Sequence, residues 1–126
     1  MTDRRLRFGV LGVGRIGKIH LENLAQTEVG ALADVFPEAL EAAAAKFNVL
    51  RAFADYRRVL ELAEVDAVAI CTPTNTHYQM ILDAAAAGKH IFCEKPVDLS
   101  PEKIAEINAR VAQCGVQLMV GFNRRF

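Results

Sequence analysis

The segment Phe8-Gly9-Val10-Leu11-Gly12-Val13-Gly14-Arg15-Ile16-Gly17 constrains the fold of this chain more than any other stretch. An apolar run leads into three glycines, and the glycines lead into a helical pattern. That order predicts a strand, a tight turn and a helix whose first free N–H groups face an anion. Gly12 permits the turn, Gly14 leaves room for a pyrophosphate beside the backbone, and Gly17 lets helix and strand pack closely. Glycine-rich turns are common, so the triplet alone says little. The next strand-like run, however, ends in Asp34, 20 residues after Gly14. A dinucleotide-binding fold places an acid there for the adenosine ribose. Together the two features point to a nucleotide cofactor.

The rest of the chain alternates in the same way. Leu6–Leu11 reads as a buried parallel strand, and Arg15 to about Leu24 as a helix with Ile16, Ile19, His20 and Asn23 at helical spacing. Val29–Ala33 is a second strand, weakened by its brevity and by Gly30. Pro37 suits the first position of a helix that runs through an alanine-rich stretch to Phe47. Arg51–Ala54 is a short third strand, and Asp55 caps a small helix through Leu62. Val65–Cys71 is the clearest buried strand. Thr76 is expected to cap a helix ending at Gly88, and His90–Cys93 returns to the sheet. Ser100, Pro101 and Glu102 mark a last helix start. Ile104, Ile107 and Val111 give it an apolar stripe, Gly115 stops it, and Gln117–Val120 is a sixth strand. Six short apolar runs alternating with helices predict an α/β fold: a Rossmann-type doubly wound parallel sheet in the order 3-2-1-4-5-6.

Size and charge narrow the classes of function. The 126 residues fit one domain, and 52% hydrophobic against 24% charged residues is a globular balance. Fifteen basic residues offset fifteen acidic ones, so no broad field draws the chain to nucleic acid or to an anionic membrane. No apolar run approaches the ~18 residues that a membrane helix needs. Cys71, Cys93 and Cys114 are an odd set without metal-ligand spacing, read as reduced thiols of a cytoplasmic protein with no metal site.

In an open parallel sheet, ligands bind outside the carboxyl ends of the strands, so residues there carry the most weight. Asp34 is either a solvated helix-capping acid or the acceptor for the ribose hydroxyls. In the second role it repels the extra phosphate of NADP. Unit charges about 4 Å apart near a surface interact by roughly 1–4 kcal/mol, about ten- to a thousand-fold in affinity. Val35 and Phe36 offer no arginine to reverse the preference, which favours NAD. Cys71-Thr72-Pro73-Thr74-Asn75-Thr76-His77 borders the switch point of the sheet, either as part of the site or as a polar turn before a helix. Taken alone, His77 reads as a helix-start histidine, His20 and His90 as structural, and Cys71 and Cys93 as buried small hydrophobes. Glu94-Lys95-Pro96 ends the fifth strand. It is either a surface ion pair worth little or a charged pair held in place at the nicotinamide end, since a residue before proline is restricted to extended conformations.

These residues carry a resemblance. Gly12 to His20, Asp34, the Cys71–His77 loop, Glu94-Lys95-Pro96 and the closing Gly121-Phe122-Asn123-Arg124-Arg125-Phe126 resemble the glucose–fructose oxidoreductase/inositol dehydrogenase/rhizopine catabolism family over essentially the whole chain. The glutamate–lysine–proline triplet is far more specific than the glycines. The resemblance implies hydride transfer from a ring hydroxyl of a polyol or sugar to NAD. It makes Lys95 the residue that hydrogen-bonds the reacting hydroxyl and helps its proton leave. It also implies a cofactor pocket lined by Glu94, Thr72, Pro73, Asn75 and His77, with Arg15 and Ile16 of the glycine turn near the pyrophosphate and Arg124 and Arg125 near the substrate.

Two departures follow. The family's general base is a histidine on a second, antiparallel domain, which supplies most of the sugar pocket and much of the homo-oligomer interface. Residues 1–126 therefore read as the dinucleotide-binding domain alone, inactive by itself, with an apolar face exposed where the second domain packs. A non-catalytic nucleotide-sensing module of the same fold is the competing reading, against which Lys95 argues. The stretch Gln26–Asp34 is also a few residues shorter than the family's usual length, which would shorten the second strand and shift Asp34 relative to the ribose.

Overall fold

The computed structural model describes residues 6–23 and 28–121. Its strands are β1 (Arg7–Leu11), β2 (Glu28–Ala33), β3 (Ala52–Phe53), β4 (Ala67–Ile70), β5 (His90–Glu94) and β6 (Leu118–Gly121). Its helices are α1 (Arg15–Asn23), α2 (Pro37–Phe47), α3 (Tyr56–Leu60), α4 (His77–Ala86) and α5 (Pro101–Cys114). The sheet has the order β3-β2-β1-β4-β5-β6, with all neighbours parallel. That is the order expected from the alternation of apolar runs and helical patterns.

Alternation along the strands sorts the side chains into two cores. Val10 and Leu32 point to one face, where Leu21 of α1 and Leu40 and Ala43 of α2 cover them. Leu11, Val68, Ile70, Ile91 and Cys93 point to the other face, where Val59 of α3, Ile81 and Ala84 of α4 and Ile107 and Val111 of α5 complete a larger core. Leu21 is 1% exposed, whereas Ile16 and Ile19 are 43% and 46% exposed. The side of α1 that meets the sheet is thus set by Leu21 and Gly17, not by the two isoleucines. Beside β4–β6 on the first face, Phe8, Ala67, Ala69, Phe92 and Met119 line an apolar recess.

Local chemistry explains most of the element boundaries. The Asp55 carboxylate accepts from the Arg57 N–H, and the Ser100 hydroxyl accepts from the Lys103 N–H, as N-cap residues do. Gly115 ends α5 at a φ of 73°, in the left-handed region. Thr76 departs from expectation. It stands at the N-cap position of α4, but its side chain makes no capping bond, because residues Thr74–Thr76 already form a 3-10 turn and its hydroxyl is used elsewhere. Gly30 marks an irregularity of β2: the pairing passes from Phe8↔Val29 to Gly9↔Ala31, leaving Gly30 as the extra residue of a bulge. The second strand spans six residues and delivers Asp34 to the glycine turn.

Candidate functional site

The carboxyl ends of β1, β2, β3 and β4 are laced together by backbone bonds. Gly12 N–H donates to the Ala33 carbonyl (2.8 Å), Asp34 N–H to the Phe53 carbonyl (3.1 Å) and Cys71 N–H to the Leu11 carbonyl (2.8 Å). Gly12 adopts a φ of +96°, and a Cβ there would lie 2.9 Å from the backbone of Cys71. A Cβ at Gly17 would stand 1.9 Å from the Gly12 carbonyl oxygen, so α1 can approach the turn only through glycine. Gly14 is different: a Cβ would meet nothing within 4 Å. Its carbonyl accepts the first helical bond, from Lys18 N–H (2.9 Å), which leaves the N–H groups of Arg15, Ile16 and Gly17 without partners in the helix. Open space beside unpaired N–H groups at a helix N-terminus suits a phosphate.

Asp34 closes this end of the site. Its two carboxylate oxygens accept separately, one from Val13 N–H and one from Phe36 N–H, both at 2.8 Å. The carboxylate is therefore tied to the glycine turn itself. Each oxygen keeps a lone pair, so acceptor capacity for a ribose remains.

At the other end stand the loops after β4 and β5. Thr76 Oγ1 donates to the Pro73 carbonyl, and Thr72 Oγ1 lies 2.6 Å from Thr76 Oγ1. Each hydroxyl has one hydrogen, and the Thr72 hydroxyl stands between Thr76 Oγ1 and the Met80 sulfur, 3.4 Å away. Pro73 and Asn75 are exposed on this loop. His77 lies inside: it is 1% exposed, with Nε2 2.8 Å from the Thr72 carbonyl and Nδ1 2.9 Å from the Pro96 carbonyl. Both ring nitrogens thus face backbone carbonyls inside the protein.

Glu94 ends β5 half-buried, its carboxylate paired with Nε2 of His20 on α1. The His20 ring also meets Phe92 edge-on, with centroids 5.2 Å apart. His20, set aside as structural on sequence grounds, is thus the residue that ties α1 to the end of β5. No sequence spacing signals this, because the partners lie 74 positions apart. Lys95 is exposed at the following corner, and the Lys95–Pro96 bond is cis. Arg124 and Arg125 lie outside the described residues.

The thiols are unreactive by position. Burial pushes both Cys71 and Cys93 up to about 12, with the Glu94 carboxylate adding to the effect. Among the described residues no group of three or more histidine, cysteine or acidic side chains could hold a metal ion.

A doubly wound parallel sheet with a glycine turn between β1 and α1, and an acid at the end of β2 tied to that turn, defines a dinucleotide-binding Rossmann domain. The chain belongs to the oxidoreductase family with an NAD-binding Rossmann fold, whose model matches residues 6–122. It is 46% identical over 124 residues to an inositol 2-dehydrogenase of Rhizobium meliloti, covering 96% of this chain and 37% of that one. Among solved structures it resembles a probable dehydrogenase from Thermotoga maritima (41% identity, TM-score 0.91, 96% of this chain and 37% of that one). It also resembles the scyllo-inositol dehydrogenase of Lactobacillus casei with bound NAD(H) and scyllo-inositol (34% identity, TM-score 0.88, 94% of this chain and 36% of that one). The chain thus spans little more than a third of the length of these relatives.

Proposed function

We propose that this chain binds NAD in preference to NADP and forms the cofactor half of a dehydrogenase. Its substrate is a polyol or sugar, inositol first among them, oxidised at a ring hydroxyl. The observation that carries the cofactor reading is the Asp34 carboxylate held against the glycine turn through Val13 N–H. A fixed negative charge at that place accepts ribose hydroxyls and repels a ribose phosphate. The substrate reading rests on similarity to proteins named as inositol dehydrogenases.

The chain's own residues divide the work. The N–H groups of Arg15, Ile16 and Gly17 and the space at Gly14 receive the pyrophosphate, and the loops at Thr72–Asn75 and Glu94–Lys95 frame the nicotinamide end. NAD, when bound, supplies the hydride acceptor. Losing a hydride from carbon requires losing the alcohol proton, and the Lys95 ammonium stabilises the oxyanion character that develops at that oxygen.

Calorimetric titration with NAD and with NADP, repeated on Asp34→Ala, tests the reading. The expected result is an NAD preference of about ten- to a thousand-fold that the substitution erases. Equal affinities in the native chain, or a preference that survives Asp34→Ala, would sink it.

A further inference from the structure

We propose that His77 is the positioning residue of this site: its imidazole joins the Thr72 carbonyl to the Pro96 carbonyl and so sets Lys95 at a fixed place beside the loop after β4. The strap itself is a matter of geometry. What it is for rests on the dehydrogenase reading above.

The two contacts run from opposite edges of one rigid ring, and which nitrogen donates depends on the tautomer. Nε2 meets Thr72 at 2.8 Å and Nδ1 meets Pro96 at 2.9 Å, and the ring is 1% exposed. The ring is buried, whereas Thr72 is partly buried and Pro96 exposed, so the ring side of the strap is the part shielded from water. Both partners are acceptors. A ring with one hydrogen satisfies one of them, and a ring with two satisfies both. Imidazole is the only neutral-range side chain with nitrogens on two edges of a plane, so no other residue spans this gap in the same way.

Each anchor is stiff on its far side. Thr72 is held through its hydroxyl to Thr76, which in turn holds the Pro73 carbonyl. Pro96 has a fixed φ and no N–H, so its carbonyl is its one hydrogen-bonding group. Lys95, preceding a proline, has its own backbone restricted. Fixing the Pro96 carbonyl therefore fixes the backbone from which the Lys95 side chain springs. His77 opens α4, whose inner face is packed by Ile81, Ala84 and Ala85, so the ring is mounted on a rigid element. A group whose placement matters to within about 1 Å can change rate on the order of a hundred-fold when it moves.

The test uses His77→Gln and His77→Phe in two settings. In the dehydrogenase that contains this chain, both variants should lower kcat for the polyol about ten- to a hundred-fold. The dissociation constant for NAD should rise by a smaller factor than kcat falls, because the glycine turn and Asp34, which hold the other end of the cofactor, do not touch the ring. An unchanged kcat overturns the proposal, and so does a loss of NAD affinity as large as the loss of kcat, which would mark general damage. In the 126-residue chain, amide NMR reads the strap without reference to catalysis. His77→Phe should move the Lys95 and Val97 resonances together with those of Thr72 and Thr74. Unmoved Lys95 and Val97 resonances overturn the strap. If the native protein neither binds NAD nor oxidises a polyol, the dehydrogenase reading falls and the NMR result alone decides the strap.

Discussion

At the β1–β2 end of the candidate site, backbone packs against backbone; at the β4–β5 end, side chains bridge two loops. Gly12, Gly17 and Asp34 leave no freedom in the first region, because a carbonyl and a virtual Cβ would overlap at 1.9 Å and a carboxylate is pinned by two N–H groups. In the second region Thr72, Thr76, His77, His20 and Glu94 are joined by single side-chain contacts, two of them between groups 19 and 74 positions apart. The first region is shaped by what cannot fit, the second by contacts that can be removed one at a time. Substitutions should therefore act steeply at the glycine end and gradually at the loop end.

The sharpest way to break this contrast is Gly17→Ala. The Gly12 carbonyl belongs to the backbone and cannot swing aside, so the added methyl should cost about 3 kcal/mol by urea denaturation and abolish NAD binding. A cost below about 1 kcal/mol would show that the turn yields and that the glycine end is not rigid. Gly14→Ala separates packing from binding within the same turn. The site is open, so stability should change by less than about 0.5 kcal/mol, while NAD affinity drops about tenfold or more. Equal NAD affinity would mean that no ligand group approaches Gly14.

Alkaline titration probes the strand ends where the two regions meet. The thiols of Cys71 and Cys93 sit at about 12 in the folded chain against an ordinary value of 9.0. Below pH 9 both states keep the proton. Between pH 9 and 12 the unfolded chain binds fewer protons than the folded one, so stability falls as pH rises, by at most about 1.4 kcal/mol per pH unit for each thiol. The slope of urea stability against pH above 9 should flatten in Cys71→Ala/Cys93→Ala, and an unchanged slope would place the effect elsewhere.

The smallest expected effect is at the loop. Thr76→Ala loses the bond to the Pro73 carbonyl and should cost about 1 kcal/mol. Amide exchange should quicken in residues 73–76 but not in the first turn of α4, since Thr76 does not cap it. Ser100→Ala costs a similar amount through the opposite route, by exposing Lys103 N–H at a true N-cap. If Thr76→Ala instead frays α4, the hydroxyl serves the helix after all.

Much of this architecture could be read from local sequence because local physics decides it. Apolar runs of strand length, helices opened by Pro37, Ser100 and Pro101, and a stop at Gly115 are set by neighbours a few residues apart, and they gave the sheet order. The boundaries moved by one or two residues where the ladder, not the residue type, ends a strand: β4 is Ala67–Ile70 rather than Val65–Cys71, and β5 extends to Glu94. Threonine before a helix caps it by default, whereas here the 3-10 turn gives the Thr76 hydroxyl a nearer acceptor. The stretch Gln26–Asp34 is short, and Gly30 takes up one of its residues in a bulge, yet the Asp34 carboxylate still accepts from Val13 N–H.

The sequence by itself determined the alternation of strands and helices and the coincidence of three glycines with an acid 20 residues on, because each depends on chain-local sterics and periodicity, and the sheet order follows from that alternation through the handedness of parallel crossovers. Only the tertiary structure decided which polar side chains are internal. Lys89 is 7% exposed and donates to the Leu62 and Val65 carbonyls at 2.7 Å. His77 reads as a helix-start residue, yet it spans two loops, and His20 finds its partner on the last residue of β5. A buried polar group needs a partner wherever the fold supplies one, and that partner is fixed by distance in space, which no spacing along the chain records.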